Sequence, residues 1–277
     1  MTSRPVAEMR RPSGDKGTRE GAPVRYAARV EYDGTDFAGF QVQPGKRTVQ
    51  GEIEAALAQL EPQGSSRVDG AGRTDAGVHA AGQVIAFTYT GGLSGPRLER
   101  SIEALLPADI AISGVRRVPA RFHPRYAARY REYRYTVWNG PHRPLLERYA
   151  LGVRTPLDDA AMAQAGSVLV GRHDFSAFGA PDRQPVRTVY AVRVRRRGQV
   201  VTIDVRADAF LRGMVRRIVA VLLKVGHGKL DVAGVAAALD AGRPALSGAA
   251  APARGLCLRR VALGRPARKL DGELGAT

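Results

Sequence analysis

Apolar and polar residues alternate from Tyr26 to Tyr32, with Tyr26, Ala28, Val30 and Tyr32 on one side and Ala27, Arg29 and Glu31 on the other. A period of two marks a strand with one buried face, so folded structure is predicted to begin near Val24. After the turn-like Asp33-Gly34-Thr35-Asp36 the period lengthens. Val49, Ile53, Leu57 and Leu60 fall on one helical face, with Thr48 placed to cap it. Val84 to Tyr89 reads as a strand, Pro96 to Leu106 as a helix built on Leu98, Ile102 and Leu105, and Ile110 to Val118 as a further strand.

The run from Pro119 to Arg125, rich in proline and arginine, interrupts this pattern and sets a domain boundary. Alternation then resumes through Tyr133, Tyr135 and Val137. Thr155-Pro156 has the form of an N-cap followed by a first-turn proline, which predicts a helix to about Val170. Tyr190 to Arg195 and Val200 to Arg206 form a hairpin joined by a basic turn, Arg196-Arg197-Gly198-Gln199. An apolar helix from about Phe210 to Val225, a helix from Asp231 to Leu239 and a strand from Leu256 to Leu263 complete the order. Residues 1–23 and 266–277 lack periodicity; the first is expected to be a disordered basic tail and the second a frayed, flexible one. The pattern predicts an α+β protein with an N-terminal unit over 24–118 and a C-terminal unit over 119–265.

One stretch fits neither period. Val68 to Ala80 carries three glycines and three alanines, and its strong chemistry is confined to Asp69, Arg73, Asp75 and His79. It reads as a loop whose small residues let a large ligand approach the backbone.

Charge changes the picture of the partner. Lys and Arg number 43 against 26 acidic residues, a formal charge of +17 over 277 residues, and arginine far outnumbers lysine. A guanidinium-rich surface favours a phosphate polyanion, hence nucleic acid, although a GC-rich genome would also enrich arginine. The single cysteine, Cys257, excludes an internal disulfide framework, and no apolar run reaches the length of a membrane span, so a cytoplasmic protein is expected. The five histidines stand apart from one another, which argues against a bound metal, and no Walker, dinucleotide or nucleophile-elbow motif calls for a cofactor.

Carboxylate chemistry remains. Asp75 lies between Thr74 and Ala76 and is sterically open, with Arg73 two residues away to favour its charged form. Asp69 and Asp75 could equally be turn formers. The helix after Phe210 carries Arg212, Arg216 and Arg217 in an apolar setting. Such arginines either reach solvent at the helix start or face a carboxylate or phosphate, for which Asp75 is a candidate.

These residues together resemble a family. Tyr32-Asp33-Gly34-Thr35-Asp36-Phe37-Ala38-Gly39-Phe40-Gln41, Thr48-Val49-Gln50-Gly51 and Gly72-Arg73-Thr74-Asp75-Ala76-Gly77-Val78-His79-Ala80 are similar to the N-terminal motifs of bacterial tRNA pseudouridine synthases of the A type. Phe122-His123, Tyr133-Arg134-Tyr135, His173-Asp174-Phe175, Arg187-Thr188-Val189, Met214-Val215-Arg216 and Gly255-Leu256 continue the match, and Phe40 departs from the family's usual Trp. The resemblance implies a pseudouridine synthase fold, two halves whose mixed and antiparallel sheets abut around a central cleft. It implies Asp75 as the group that attacks ribose C1′ or removes the 2′ proton, Arg216 as its partner, Tyr133 as the base-stacking residue that could also assist deprotonation, and Arg73 as the residue that opens the RNA. It further implies uridines 38, 39 and 40 of the tRNA anticodon stem-loop as targets, a homodimer, and no cofactor or metal. Arg121, Arg125, Arg129, Arg195, Arg196 and Arg197 are candidate phosphate contacts. A non-catalytic basic RNA-binding protein and a uridine-excising nucleosidase are the alternatives.

Overall fold

The alternation beginning at Tyr26 becomes β1 (Val24–Tyr32), and the helical stripe that follows becomes α1 (Val49–Leu60). Thr48 caps α1 by accepting the Gly51 amide at 3.2 Å. Thr48→Ala should therefore cost about 1 kcal/mol in urea unfolding with an unchanged m-value.

The computed structural model describes residues 22–61, 67–241 and 249–264. The expected tails over 1–23 and 266–277 fall outside these apart from residues 22 and 23. The remaining elements are β2 (Asp69–Gly70), β3 (His79–Tyr89), α2 (Gly95–Glu103), β4 (Ile110–Arg117), α3 (Pro124–Ala127), β5 (Ala128–Asn139), β6 (Leu151–Val153), α4 (Asp159–Val168), β7 (Gly171–Asp174), β8 (Val186–Arg197), β9 (Val200–Ala207), α5 (Met214–Gly226), α6 (Val232–Asp240) and β10 (Leu256–Leu263).

The strands make one mixed sheet in the order β4-β1-β3-β10-β5-β9-β8-β7, with β2 paired to β3 and β6 to β5. The last strand is what joins the two halves. β10 lies antiparallel to β5 and makes a short parallel pairing with β3, Cys257 opposite His79 and Leu258 opposite Ala80. Gly82 permits this joint, since a Cβ there would stand 2.4 Å from the Arg259 carbonyl oxygen.

Opposed residues of antiparallel strands share a face. Tyr133, Tyr135 and Val137 of β5 therefore point the same way as Val205, Ile203 and Val201 of β9, and this face joins the buried sides of α1, α2, α4 and α5 in one hydrophobic cluster. The opposite face is polar. Arg134 and Arg195 both meet Asp204 there, and Arg206 meets Glu132.

Several local predictions need correction. The stretch 68–80 is not all loop, because Asp69 and Gly70 pair with Ala86 and Ile85, and β3 already begins at His79 rather than Val84. Its first residues are too small to signal a strand, and pairing with β1 and β10 imposes one. The helix expected from Thr155 starts at Asp159, because Asp158 is the residue whose carboxylate accepts an orphan amide, that of Ala161, at 2.8 Å. Arg196 and Arg197 belong to β8, leaving a two-residue turn in which Gly198 takes φ 56°. The helix expected from Phe210 starts at Met214, and Gly213, at φ 74°, turns the chain into it.

A loop carboxylate, a helix arginine and a strand tyrosine form the candidate site

The segment from Ala71 to Val78 is pinned from below. The buried Gln83 donates to the Gly72 carbonyl at 2.8 Å, and the Phe40 amide donates to that of Thr74 at 3.1 Å. The Thr74 hydroxyl bonds the Tyr32 hydroxyl at 2.8 Å, and the Gly77 amide donates to the Phe37 carbonyl at 3.3 Å. Gly39, at φ 110°, lies so close beneath the loop that a Cβ would meet the Thr74 oxygen at 2.8 Å. Phe40, the departure from the resembled pattern, is buried under Gly70, where a Cβ would strike its ring at 2.5 Å. These anchors hold the backbone and turn outward the side chains of Arg73, Asp75 and Ala76.

Asp75, 30 % exposed, meets Arg216 of α5 at 3.4 Å between Oδ2 and Nη1. Arg216 is itself fixed. Its Nε donates to the Ala251 carbonyl at 2.6 Å, and its own carbonyl accepts the Ala251 amide at 3.0 Å. Tyr133, only 8 % exposed, packs edge-on against Phe210 with centroids 5.2 Å apart. Burial pushes its phenol well above the ordinary tyrosine value; nearby Arg131 opposes the rise and the neighbouring Asp75 carboxylate adds to it. At neutral pH Tyr133 is a neutral phenol that offers a ring and an O–H rather than a base. Carboxylate, guanidinium and aromatic ring come from three distant parts of the chain and meet beside the joint between β3, β10 and β5.

Arg131 is a buried residue beside the candidate site that sequence reasoning missed. It lies on the same face of β5 as Tyr133, two residues earlier, and is almost wholly buried. No carboxylate neutralises it by direct contact among the described residues. Its guanidinium donates instead to the carbonyls of Ala71 at 2.6 and 3.2 Å, Asp208 at 2.7 Å and Arg125 at 2.8 Å. Desolvation lowers its pKa, but an arginine starts so high that it stays charged. The signal that could have found it is the period of two itself, which extends back from Tyr133 and sets a charged residue on an apolar face.

The other candidates divide by position. Arg73 is exposed, and no described side chain engages it. Arg121, Arg125 and Arg129 are exposed around α3 and the start of β5, and the Arg125 carbonyl shares the Arg131 guanidinium with Ala71. Arg195 lies on the sheet face opposite Tyr133 and pairs with Asp204 at 3.4 Å. Arg196 shares Tyr133's face but sits at Val137's level on β8, held by Asp159 at 2.6 Å and the Leu157 carbonyl at 2.8 Å. The structure does not bring Arg195 and Arg196 to Asp75. Asp69 pairs with Arg25 on the outer edge, and His79 ties the Gly34 amide at 3.0 Å to the Arg254 carbonyl at 3.2 Å. Both are engaged by contacts within the fold. Among the described residues, no three of His, Cys, Asp and Glu gather as a metal site would require, and no helix is long and apolar enough to cross a membrane.

A family model described as tRNA pseudouridine synthase matches residues 28–127 and 165–262, which include Asp75 and Arg216. The chain is 42 % identical over 246 residues to a tRNA pseudouridine synthase A of Shouchella clausii, covering 87 % of this chain and 94 % of that one. It is 42 % identical over 236 residues to the protein of that name from Halalkalibacterium halodurans, covering 84 % and 90 %. A third such protein, from Brevibacillus brevis, is 44 % identical over 236 residues, covering 84 % and 96 %.

Proposed function

The chain belongs to the tRNA pseudouridine synthase family, and from that premise we propose that Asp75 is its reactive group, Arg216 the partner that aims it, and Tyr133 the platform for the target base. The enzyme isomerises uridine to pseudouridine in tRNA. The reaction exchanges the N1–C1′ bond for a C5–C1′ bond without changing composition. The N1–C1′ electron pair leaves with uracil, C5 supplies the new pair to C1′, and the proton lost from C5 balances the one gained at N1.

Asp75 can serve this exchange in two ways. In the first, its carboxylate bonds C1′ as N1 departs and leaves again as C5 bonds. In the second, it removes the 2′ proton and later returns it. Deuterium at C2′ slows the second route by a primary isotope effect and leaves the first nearly untouched. The observation that carries the reading is the Asp75–Arg216 contact at 3.4 Å on a pinned loop beside the buried Tyr133.

A stacked uridine must leave its helix to reach Asp75, at a cost of a few kcal/mol that stacking and phosphate contacts offset. Tyr133 supplies the ring for the flipped base. As a neutral phenol it suits stacking better than removal of the C5 proton. Arg73, exposed at the rim, takes the place of the displaced nucleotide or holds its phosphate, and Arg121, Arg125 and Arg129 extend the track. The targets proposed are uridines 38, 39 and 40 of the anticodon stem-loop, modified in the cytoplasm by a homodimer without cofactor or metal.

The test is direct. Purified protein and unmodified tRNA should yield carbodiimide-dependent reverse-transcription stops at those three positions, with no free uracil. Free uracil would mean a nucleosidase, and binding without stops would mean an RNA-binding protein.

A further inference from the structure

Another aromatic residue stands near the loop, and the chemistry above does not use it. We propose that Tyr126, backed by His123, is a stacking platform for an unpaired base of the tRNA other than the uridine being isomerised. The proposal rests on the tRNA substrate named above and adds a binding site to it.

Tyr126 is 75 % exposed, an unusual setting for a large aromatic ring. Its hydroxyl has no hydrogen-bond partner among the described residues, so nothing in the fold accounts for it. One side of the ring rests on His123, with centroids 4.6 Å apart and planes tilted by 46°. His123 is held in turn. Its Nδ1 accepts the Arg125 amide at 3.2 Å, which leaves the proton on Nε2, 3.8 Å from an Asp69 carboxylate oxygen. Arg25 ties down the same turn, donating to the Phe122 carbonyl at 3.4 Å while pairing with Asp69. The ring is therefore mounted on a rigid support with its outer side open to solvent.

Charge identifies the occupant. Arg121, Arg125 and Arg129 are exposed within five residues of Tyr126, a basic surround for an aromatic face. Aromatic rings flanked by cations bind single-stranded nucleic acid by stacking bases while the cations hold phosphates. Position ties the platform to the reaction. One nitrogen of Arg131 bonds both the Arg125 and Ala71 carbonyls, and the four residue-to-residue steps from Ala71 to Asp75 span at most about 14 Å, on the order of four base steps. A base on Tyr126 would thus belong to the same arm of the tRNA as the uridine at Asp75.

The experiment compares Tyr126→Ala, Tyr126→Phe and Arg125→Ala in the full chain, reading tRNA affinity across a salt series and turnover at saturating tRNA. Tyr126→Ala should weaken affinity roughly tenfold with an unchanged salt slope and near-normal saturated turnover. Tyr126→Phe keeps the ring and should match the parent. Arg125→Ala should flatten the salt slope by about one phosphate contact. The exposed Tyr126 ring adds little to the packed core, so its variants should fold, and a thermal melt checks this. Parental affinity in Tyr126→Ala, or equal losses in the Ala and Phe variants, would overturn the platform while the parent still makes pseudouridine. A parent that makes none would overturn the substrate reading instead.

Discussion

Asp75→Ala is expected to abolish pseudouridine formation, lowering single-turnover rates by at least about three orders of magnitude, on the order of 4 kcal/mol of transition-state stabilisation. Affinity for tRNA should stay within a few-fold of the parent. Attraction to RNA comes from many phosphate contacts, and Asp75, itself an anion, contributes none of them. The fold should survive as well. Asp75 and Arg216 are both partly exposed and 3.4 Å apart, the kind of pair whose net stability is about 0–1 kcal/mol, and Arg216 retains its bond to Ala251. Asp75→Asn separates chemistry from geometry, because the amide oxygen can still accept from Arg216 but the group can neither attack nor remove a proton. Both variants should be inactive and both should bind. Turnover within tenfold of the parent in either one would sink the assignment.

How far the sequence alone could reach depended on where its information was local. β1 and α1 were legible because alternation, helical spacing and a capping threonine all lie within a few residues of what they specify. The Asp75 loop was legible for a similar reason, since glycines at 39 and 77 meet backbone requirements that no other residue satisfies cheaply. The arginines on an apolar helix left open whether one of them meets a carboxylate, and it was the resemblance that singled out Arg216 as the partner of Asp75, 3.4 Å away. The start of β3 was not legible, because Ala80, Ala81 and Gly82 become a strand only through neighbours distant in sequence, one of them the last strand of the sheet. Arg196 was misplaced on a similar account. Consecutive arginines before a glycine look like a solvated turn, and only the position of Asp159 on α4 shows that one of them points inward. Thr155-Pro156 imitates a helix start, but Asp158 lies three residues closer to α4, and its carboxylate accepts the Ala161 amide. For β3 and Arg196 the deciding partner was remote; for α4 it was a nearer cap in the same stretch.

Arg131 is the strongest instance, and its removal should have the second large effect. Arg131→Met keeps the length and apolar stem of the side chain but deletes every donor, leaving the Ala71, Asp208 and Arg125 carbonyls to find other partners or none. With a cost of about 1–3 kcal/mol for each buried acceptor that stays unpaired, a loss of roughly 2–4 kcal/mol is expected in denaturant unfolding. Part of it is offset where water reaches the carbonyls at the rim. Activity should fall further than stability explains. Ala71 starts the loop that carries Asp75, and a displacement of about 1 Å at a reacting group can cost on the order of a hundredfold in rate. The expected signature is therefore a turnover reduced about 10- to 100-fold in protein that is still folded at the assay temperature. Arg131→Lys provides the control for a collapsed variant: one ammonium can reach one or two of the carbonyls but not all three, so stability and turnover should both recover in part. If Arg131→Met matched the parent in both unfolding and turnover, the loop would be held by Gln83, Phe40, Tyr32 and Phe37 without it, and the buried guanidinium would have no part in placing Asp75.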